Sequence, residues 1–311
     1  MDMKKVKKLN AKSTIGVFSP SEPITDLRVP KFNQGLNKLK EVGFDIVLGN
    51  NCLARTNYSA GTIEQRIEDI HDLLQNKSVD CLLASWGGKS CNQLVNKINY
   101  DLFITHRKAF LGFSDPCVLA NHITAKTGLY TFYGPNVVGK LDETDFTKFE
   151  FLKESFKDRD ILFADKNSSR CLKKGKNTGR LIGGNLSTFI LGVISSDIPQ
   201  NYYKGGILFW EDLGNPPQLI DQYMNALKNY GIFDLINGMI IGDFITDDPK
   251  AWKKTDPFDP LINTLREFKF PILYSPSFGH RKSKNPILPI GGFCELNSDD
   301  NTLILLEEVI E

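Results

Sequence analysis

The chain has 311 residues, 41% of them hydrophobic and 24% charged, with 25 Gly and 15 Pro, a globular composition that excludes a disordered or fibrous chain and leaves room for two domains. Lys plus Arg (38) nearly cancel Asp plus Glu (37). No net positive field is therefore available to hold a polyphosphate backbone, and nucleic acid is not an expected partner.

Thr14–Phe18 reads as a strand, and after the turn residues Ser19-Pro20-Ser21-Glu22-Pro23 a helix is predicted near Pro30–Val42, stopped by Gly43. Asp45–Leu48 is a second strand. Ile63, Ile67, Ile70 and Leu74 recur at helical spacing within Thr62–Gln75. Asp80–Ala84, Cys91–Ile98, Ala109–Phe113 and Pro116–Thr127 then follow as strand, helix, strand and helix. Such alternation gives a parallel sheet with right-handed crossovers, whose ligands sit at the carboxyl ends of the strands. Residues 141–179 are rich in Lys and Asp, show no sustained period and read as a connector. Beyond them the strand-like runs Arg180–Ile182, Gly206–Trp210, Met239–Phe244, Pro271–Tyr274, Gly292–Leu296 and Thr302–Leu306 outnumber the helical stretches Pro217–Tyr230 and Pro260–Phe268. The expected fold class is α/β: a parallel-sheet N-terminal α/β domain over 1–140, a connector over 141–179, and a strand-rich C-terminal α/β domain over 180–311.

The basic residues near the amino terminus lead only into the short apolar run Ile15–Phe18, where an export signal needs roughly 7–15 apolar residues. No apolar run approaches the ~20 residues of a membrane span, so a cytoplasmic protein with no membrane partner is expected. The six cysteines, Cys52, Cys81, Cys91, Cys117, Cys171 and Cys294, lack any C-x-x-C pair. Buried reduced thiols fit them better than zinc ligands or disulfides.

Ser85-Trp86-Gly87-Gly88-Lys89-Ser90 ends a strand in Gly-Lys-Ser, but Leu83 stands where a P-loop needs its first glycine, and no G-x-G-x-x-G occurs. What remains is a glycine pair whose backbone N–H groups can approach a ligand, or a plain tight turn. Ser114 lies between an apolar strand and a helix, with Asp115 suited to the N-cap and Pro116 to the first helical position. The shape resembles a nucleophile elbow, although Pro116 breaks G-x-S-x-G; the alternative is a helix cap with an incidental serine. No S-x-x-K occurs in the chain, so a histidine is the natural base for a serine nucleophile. His71 lies off its helix's apolar stripe and reads as solvated, and His106 sits in a charged stretch that reads as a surface loop. His122 is two turns, roughly 12 Å, beyond Ser114 on the same helix. His280, in the loop Pro276-Ser277-Phe278-Gly279-His280-Arg281, remains. Glu211 and Asp212 end an apolar strand, and by alternation only one can face with Phe209. Spacing alone leaves the choice of acid open.

Gly87-Gly88 with Asn92-Gln93-Leu94, Gly112-Phe113-Ser114-Asp115, Thr127-Gly128-Leu129 with Phe132-Tyr133-Gly134-Pro135, Gly183-Gly184-Asn185-Leu186, Trp210-Glu211-Asp212 and Phe278-Gly279-His280 together resemble the LD-carboxypeptidase family of serine peptidases, which includes the microcin C immunity proteins. The resemblance implies Ser114 as nucleophile, Glu211 as orienting acid, His280 as base, and the backbone N–H groups of Gly88 and Asp115 as oxyanion hole, with no metal or organic cofactor and usually within a homodimer. It implies a small peptide substrate, a murein peptide cleaved before a terminal D-alanine. The alternative is a peptide–nucleotide substrate, an aminoacyl or peptidyl nucleotide analogue. A non-catalytic two-domain binding protein is a third reading. Lys89 and Arg281 are candidate cations for a substrate carboxylate, Asn185 is a further candidate substrate contact, and Trp86 a candidate face for a base. Pro116-Cys117 departs from the family's usual small or β-branched pair. Residues 141–179 hold no Trp or Tyr, only Phe146, Phe149, Phe151, Phe156 and Phe163, and the first four suit a buried helix face at least as well as a stacking platform. On that ground the murein peptide is the expected substrate.

Overall fold

The computed structural model describes residues 2–10, 12–139, 161–164, 168–244, 256, 258–281 and 285–311. They fall into two compact units. One draws on Met1–Asp158, Ile287–Gly291 and Glu307–Glu311, the other on Arg159–Pro286 and Gly292–Leu306.

The first unit runs β1 (Thr14–Phe18), α1 (Val29–Glu41), β2 (Asp45–Leu48), α2 (Ile63–Gln75), β3 (Val79–Ala84), α3 (Asp101–His106), β4 (Ala109–Gly112), α4 (Cys117–Thr127) and β5 (Thr131–Tyr133). The chain continues with β6 (Ile161–Ala164), β7 (Arg170–Lys173), β8 (Lys176–Asn185), α5 (Leu186–Phe189), β9 (Ile207–Glu211), α6 (Pro217–Asn229), β10 (Gly238–Ile241), α7 (Asp259–Leu265) and β11 (Ile272–Tyr274). It closes with β12 (Leu288–Ile290), β13 (Phe293–Asn297) and β14 (Thr302–Leu305).

The first unit holds a six-stranded sheet in the order β12-β5-β4-β3-β1-β2. Its strands are parallel except β12, which pairs antiparallel with β5. β1 and β4 are buried at every residue, as continuous apolar runs are when helices cover both faces of a parallel sheet. α4 is buried nearly all round and stops at Gly128, whose φ of 73° is the left-handed C-cap glycine adopts without strain. α2 opens on a capping box in which Thr62 Oγ1 accepts the Gln65 N–H and Gln65 Oε1 accepts the Thr62 N–H. Its buried face departs from the predicted stripe: Arg66 and Asp69 lie buried with Ile70, Leu73 and Leu74, while Ile63 and Ile67 are half-buried.

The second unit holds an eight-stranded sheet, β6-β14-β13-β8-β9-β10-β11-β7, parallel from β8 to β11 and antiparallel elsewhere. β6, β7 and the start of β8 lie where a connector without period was expected. They escape the pattern because β6 and β7 are the sheet's edge strands and mostly leave their side chains half or fully exposed. The predicted helix over Cys91–Ile98 is one 3₁₀ turn at Cys91–Gln93, and the Ser90 and Cys91 N–H groups at its start bond to Asp115. α3, ended by Arg107 in the left-handed region (φ 48°), replaces the loop expected at His106. Five cysteines are buried free thiols and Cys171 is half-buried; burial pushes the Cys52 thiol up to about 12, which leaves it unreactive. Among the described residues no helix is long and apolar enough to cross a membrane.

Candidate active site

At the carboxyl end of β4 the chain turns sharply into α4, and Ser114 sits in the turn with φ of 67°. Among the described residues only Arg107 and Asn301 share that left-handed backbone without being glycine, at a cost of roughly 1–2 kcal/mol for an L-residue. The surroundings impose it. Asn136 Oδ1 accepts the Phe113 N–H at 2.8 Å, while Asn136 Nδ2 donates to the Phe113 carbonyl at 3.0 Å. The Tyr133 hydroxyl accepts the Ser114 N–H at 3.2 Å. Gly112 lets α4 come close: a Cβ there would lie 2.5 Å from Pro116 Cβ.

The glycine turn after β3 lies against this serine, since a Cβ on Gly87 would stand 3.2 Å from Ser114 Oγ. Gly88 follows with φ of 142°, a conformation open to glycine. The N–H groups of Gly88 and Asp115 have no hydrogen-bond partner among the described residues. The side chain of Asp115 corrects the expectation of an N-cap. α4 begins at Cys117 with Pro116 as N-cap and no side-chain cap. The Asp115 carboxylate instead accepts the Ser21 hydroxyl at 2.5 Å and the Ser90 and Cys91 N–H groups at 2.8 and 2.9 Å.

In the second unit the polar groups collect at the carboxyl ends of β8 to β11. Asn185 and Glu211 are register partners on β8 and β9, and Asn185 Nδ2 donates to Glu211 Oε1 at 3.2 Å. Glu211, fully buried, pairs through Oε2 with His280 Nδ1 at 2.6 Å and accepts the His280 backbone N–H at 3.1 Å. A carboxylate only accepts, so Nδ1 carries a proton, which leaves Nε2 as the nitrogen that can act as a general base. Of the two acids left open by the sequence, Glu211 is the one on the histidine. Asp212 points elsewhere, accepting the Ser187 N–H at 3.3 Å and the Asn215 side-chain amide. Burial, with the Glu211 charge beside it, pushes the Asp212 carboxyl up to about 7.

The candidate substrate contacts separate. Arg281 is held by Asp243 through Nε at 2.8 Å and Nη2 at 2.6 Å, so its charge is matched by a buried carboxylate. Asn185 Oδ1 caps α5 through the Thr188 N–H, which with its bond to Glu211 makes it a scaffold of the acid. Lys89 is exposed with no ion-pair or hydrogen-bond partner among the described residues. Trp86 carries the Arg28 guanidinium over its ring at 4.8 Å. Phe163 packs on Phe278 with ring centroids 6.3 Å apart, whereas Phe146, Phe149, Phe151 and Phe156 lie outside the described residues. His71 is half-buried, not solvated, and its Nε2 accepts the Asn99 N–H at 3.0 Å. His122 is buried in α4 with Nδ1 on the Val118 carbonyl oxygen at 2.8 Å. Sequence reasoning missed Asn136, Arg66 and Asp243; a Tyr-Gly-Pro-Asn turn directly after β5 is the one signal that pointed toward the first. No cluster of three His, Cys, Asp or Glu side chains suited to a metal occurs among the described residues.

Residues 15–134 match the family model of the LD-carboxypeptidase N-terminal domain and residues 178–296 that of the LD-carboxypeptidase C-terminal domain. The chain belongs to the LD-carboxypeptidase family, a family of peptidases. It is similar to the microcin C7 self-immunity protein MccF of Escherichia coli, at 29% identity over 96% of this chain and 94% of that one. It is equally similar, at 29% identity over 99% of this chain and 96% of the other, to the probable murein peptide carboxypeptidase of Bacillus subtilis. The solved structure of MccF in complex with glutamyl sulfamoyl guanosine matches with a TM-score of 0.90 at 27% identity, covering 99% of both chains.

Proposed function

We propose that this peptidase is a serine enzyme that hydrolyses the amide bond before a terminal D-alanine in murein peptides. The observation that carries the reading is the left-handed backbone of Ser114, strain of a kind that persists where function needs a side chain presented. Ser114 Oγ attacks the amide carbonyl carbon while His280 Nε2 takes its proton. The N–H groups of Gly88 and Asp115 receive the oxyanion. The tetrahedral intermediate collapses as His280 passes the proton to the leaving amine, releasing D-alanine. Water, deprotonated by His280, then cleaves the acyl-enzyme. Glu211 fixes the ring and stabilises its cation in both steps. None of these steps calls for a metal or an organic cofactor. Lys89 is the cation for the D-alanine carboxylate, because Arg281 is already matched by Asp243. The enzyme acts in the cytoplasm, as a homodimer.

A second reading, hydrolysis of an aminoacyl nucleotide analogue, is favoured by the likeness to the MccF complex. It would need a stacking face, worth about 1–3 kcal/mol per base, and Arg28 already lies over one face of Trp86. Competition between a murein tetrapeptide and an aspartyl or glutamyl sulfamoyl adenylate decides. The proposal expects the higher kcat/KM for the tetrapeptide. A preference for the adenylate that Trp86→Ala weakens would replace it with the second reading. Ser114→Ala should lose activity by about 10⁴-fold or more; wild-type kcat in that variant would remove the nucleophile.

A further inference from the structure

Arg66 is 2% exposed on the inner face of α2, where an apolar side chain would pack more cheaply. Burial lowers its pKa, and replacing a buried ion by a well-packed hydrophobe is often neutral or stabilising, so fold stability is a weak reason for an arginine here. Its bonds suggest another. Nη1 donates to the Pro20 carbonyl at 2.9 Å, to the Ser90 carbonyl at 3.3 Å and to Ser90 Oγ at 3.1 Å. Nη2 donates to Gln93 Oε1 at 2.6 Å, and Nε to the Thr62 carbonyl at 3.3 Å. One guanidinium thus ties the loop after β1 to the loop after β3.

Ser90 is gripped from its other side by the Asp115 carboxylate, which takes its N–H at 2.8 Å. Ser21 completes the arrangement, donating to Asp115 at 2.5 Å and accepting the Ser90 N–H at 3.2 Å. Its Oγ lies 2.4 Å from where a Cβ on Gly88 would stand, so the Gly88 backbone rests against it. Asp115 therefore offers one oxyanion donor through its own N–H, and through its side chain holds the loop that carries the other.

We propose that Arg66, Ser21 and the Asp115 carboxylate form a clamp that sets the spacing of the Gly88 and Asp115 N–H groups, which makes Arg66 and Ser21 positioning residues for the transition state. The inference rests on reading those two N–H groups as the oxyanion hole. Donors must lie about 2.7–3.1 Å from the developing oxyanion, and a displacement near 1 Å can cost about 10²-fold in rate. The ground-state carbonyl depends less on that spacing, so the clamp acts on kcat and leaves KM alone.

The test compares Ser21→Ala, Asp115→Asn and Arg66→Lys with the wild type in the full chain. Lys keeps the charge of Arg66 but not its fork, and the small Ser21 change keeps the experiment informative if Arg66→Lys folds poorly. D-alanine release from a murein tetrapeptide gives kcat and KM, a peptide boronate reports affinity for a tetrahedral anion, and thermal unfolding reports the fold. Each folded variant should lose about tenfold or more in kcat, with KM within twofold and weaker boronate binding in proportion. Wild-type kcat in the folded variants, or losses confined to KM or to the melting temperature, would overturn the clamp. Ser114→Ala in the same assay separates the two claims. If it is inactive while the clamp variants match wild type, only the clamp fails; if it is active, the serine mechanism fails beneath it.

Discussion

The carboxyl ends of the first sheet and those of the second prepare polar groups by different physics. In the first unit, backbone conformation sets the reactive group: a left-handed serine, a glycine turn against it, and loops tied by hydrogen bonds that Arg66 and Ser21 donate and that Asp115 and Asn136 accept. In the second, buried carboxylates do so, with Glu211 on His280 and Asp243 on the exposed Arg281, each carboxylate almost or fully buried near the end of a parallel strand. Strain fixes where an atom points, and buried charge fixes which nitrogen carries a proton. A nucleophile needs the first and a general base the second.

The sharpest way to break this contrast is Glu211→Gln, which removes the charge and keeps the shape. Activity should fall about 10³–10⁴-fold, because an amide neither holds the right tautomer nor stabilises the imidazolium, while Asp212→Asn should stay near wild type in the same D-alanine assay. An equal loss in both would mean that the acids share the task. In the first unit, Gly112→Ala brings a Cβ to 2.5 Å from Pro116 Cβ. Overpacking of that kind costs about 1–3 kcal/mol, which a urea midpoint will show together with lost activity. An unchanged midpoint would mean that the elbow is loosely built.

Two smaller effects sharpen the comparison. Ser114→Gly relieves the left-handed penalty at some cost in chain entropy and should leave the protein about 1 kcal/mol more stable than Ser114→Ala, both variants being inactive. Equal stabilities would argue against strain at this residue. Asp212, raised from 3.8 to about 7, supplies the last. Between those values the folded chain holds a proton that the unfolded chain has released. This contribution to stability is therefore full below about 3.8 and lost as pH rises through about 7. Asp212→Asn should flatten stability between pH 4 and 7, and a variant whose urea midpoints keep the wild-type slope would place that titration on another group.

Much of this was legible in the chain itself, for reasons that also mark the limit. β1, β3 and β4 are apolar runs closed by turn residues, and Ser114 and His280 stand in loops just after such runs. β5 and β12 have three residues each, β12 with Pro289 at its centre, too few to show a period. Glu211 and Asp212 could be separated only by the strand's alternation together with the place of His280, which is a tertiary fact. Arg66 was illegible because a charge on a helix reads as solvated until its partners, in loops 24 to 46 positions away, come to it. Asp115 misled for the same reason: its local role as a cap lost to three donors supplied by Ser21, Ser90 and Cys91.

The excursion of Leu288–Ile290 back to the first sheet, and of Glu307–Glu311 to the first unit, bears on heredity and on engineering. Neither unit is one uninterrupted stretch of gene, so a fragment ending at residue 158 would leave Thr131–Tyr133 as a bare sheet edge, the kind of edge that recruits other chains. Recombination that exchanged one unit between relatives would need four coordinated junctions instead of one. The two units are expected to be inherited together, and a ribosome must reach Leu288–Ile290 before the first sheet can be completed.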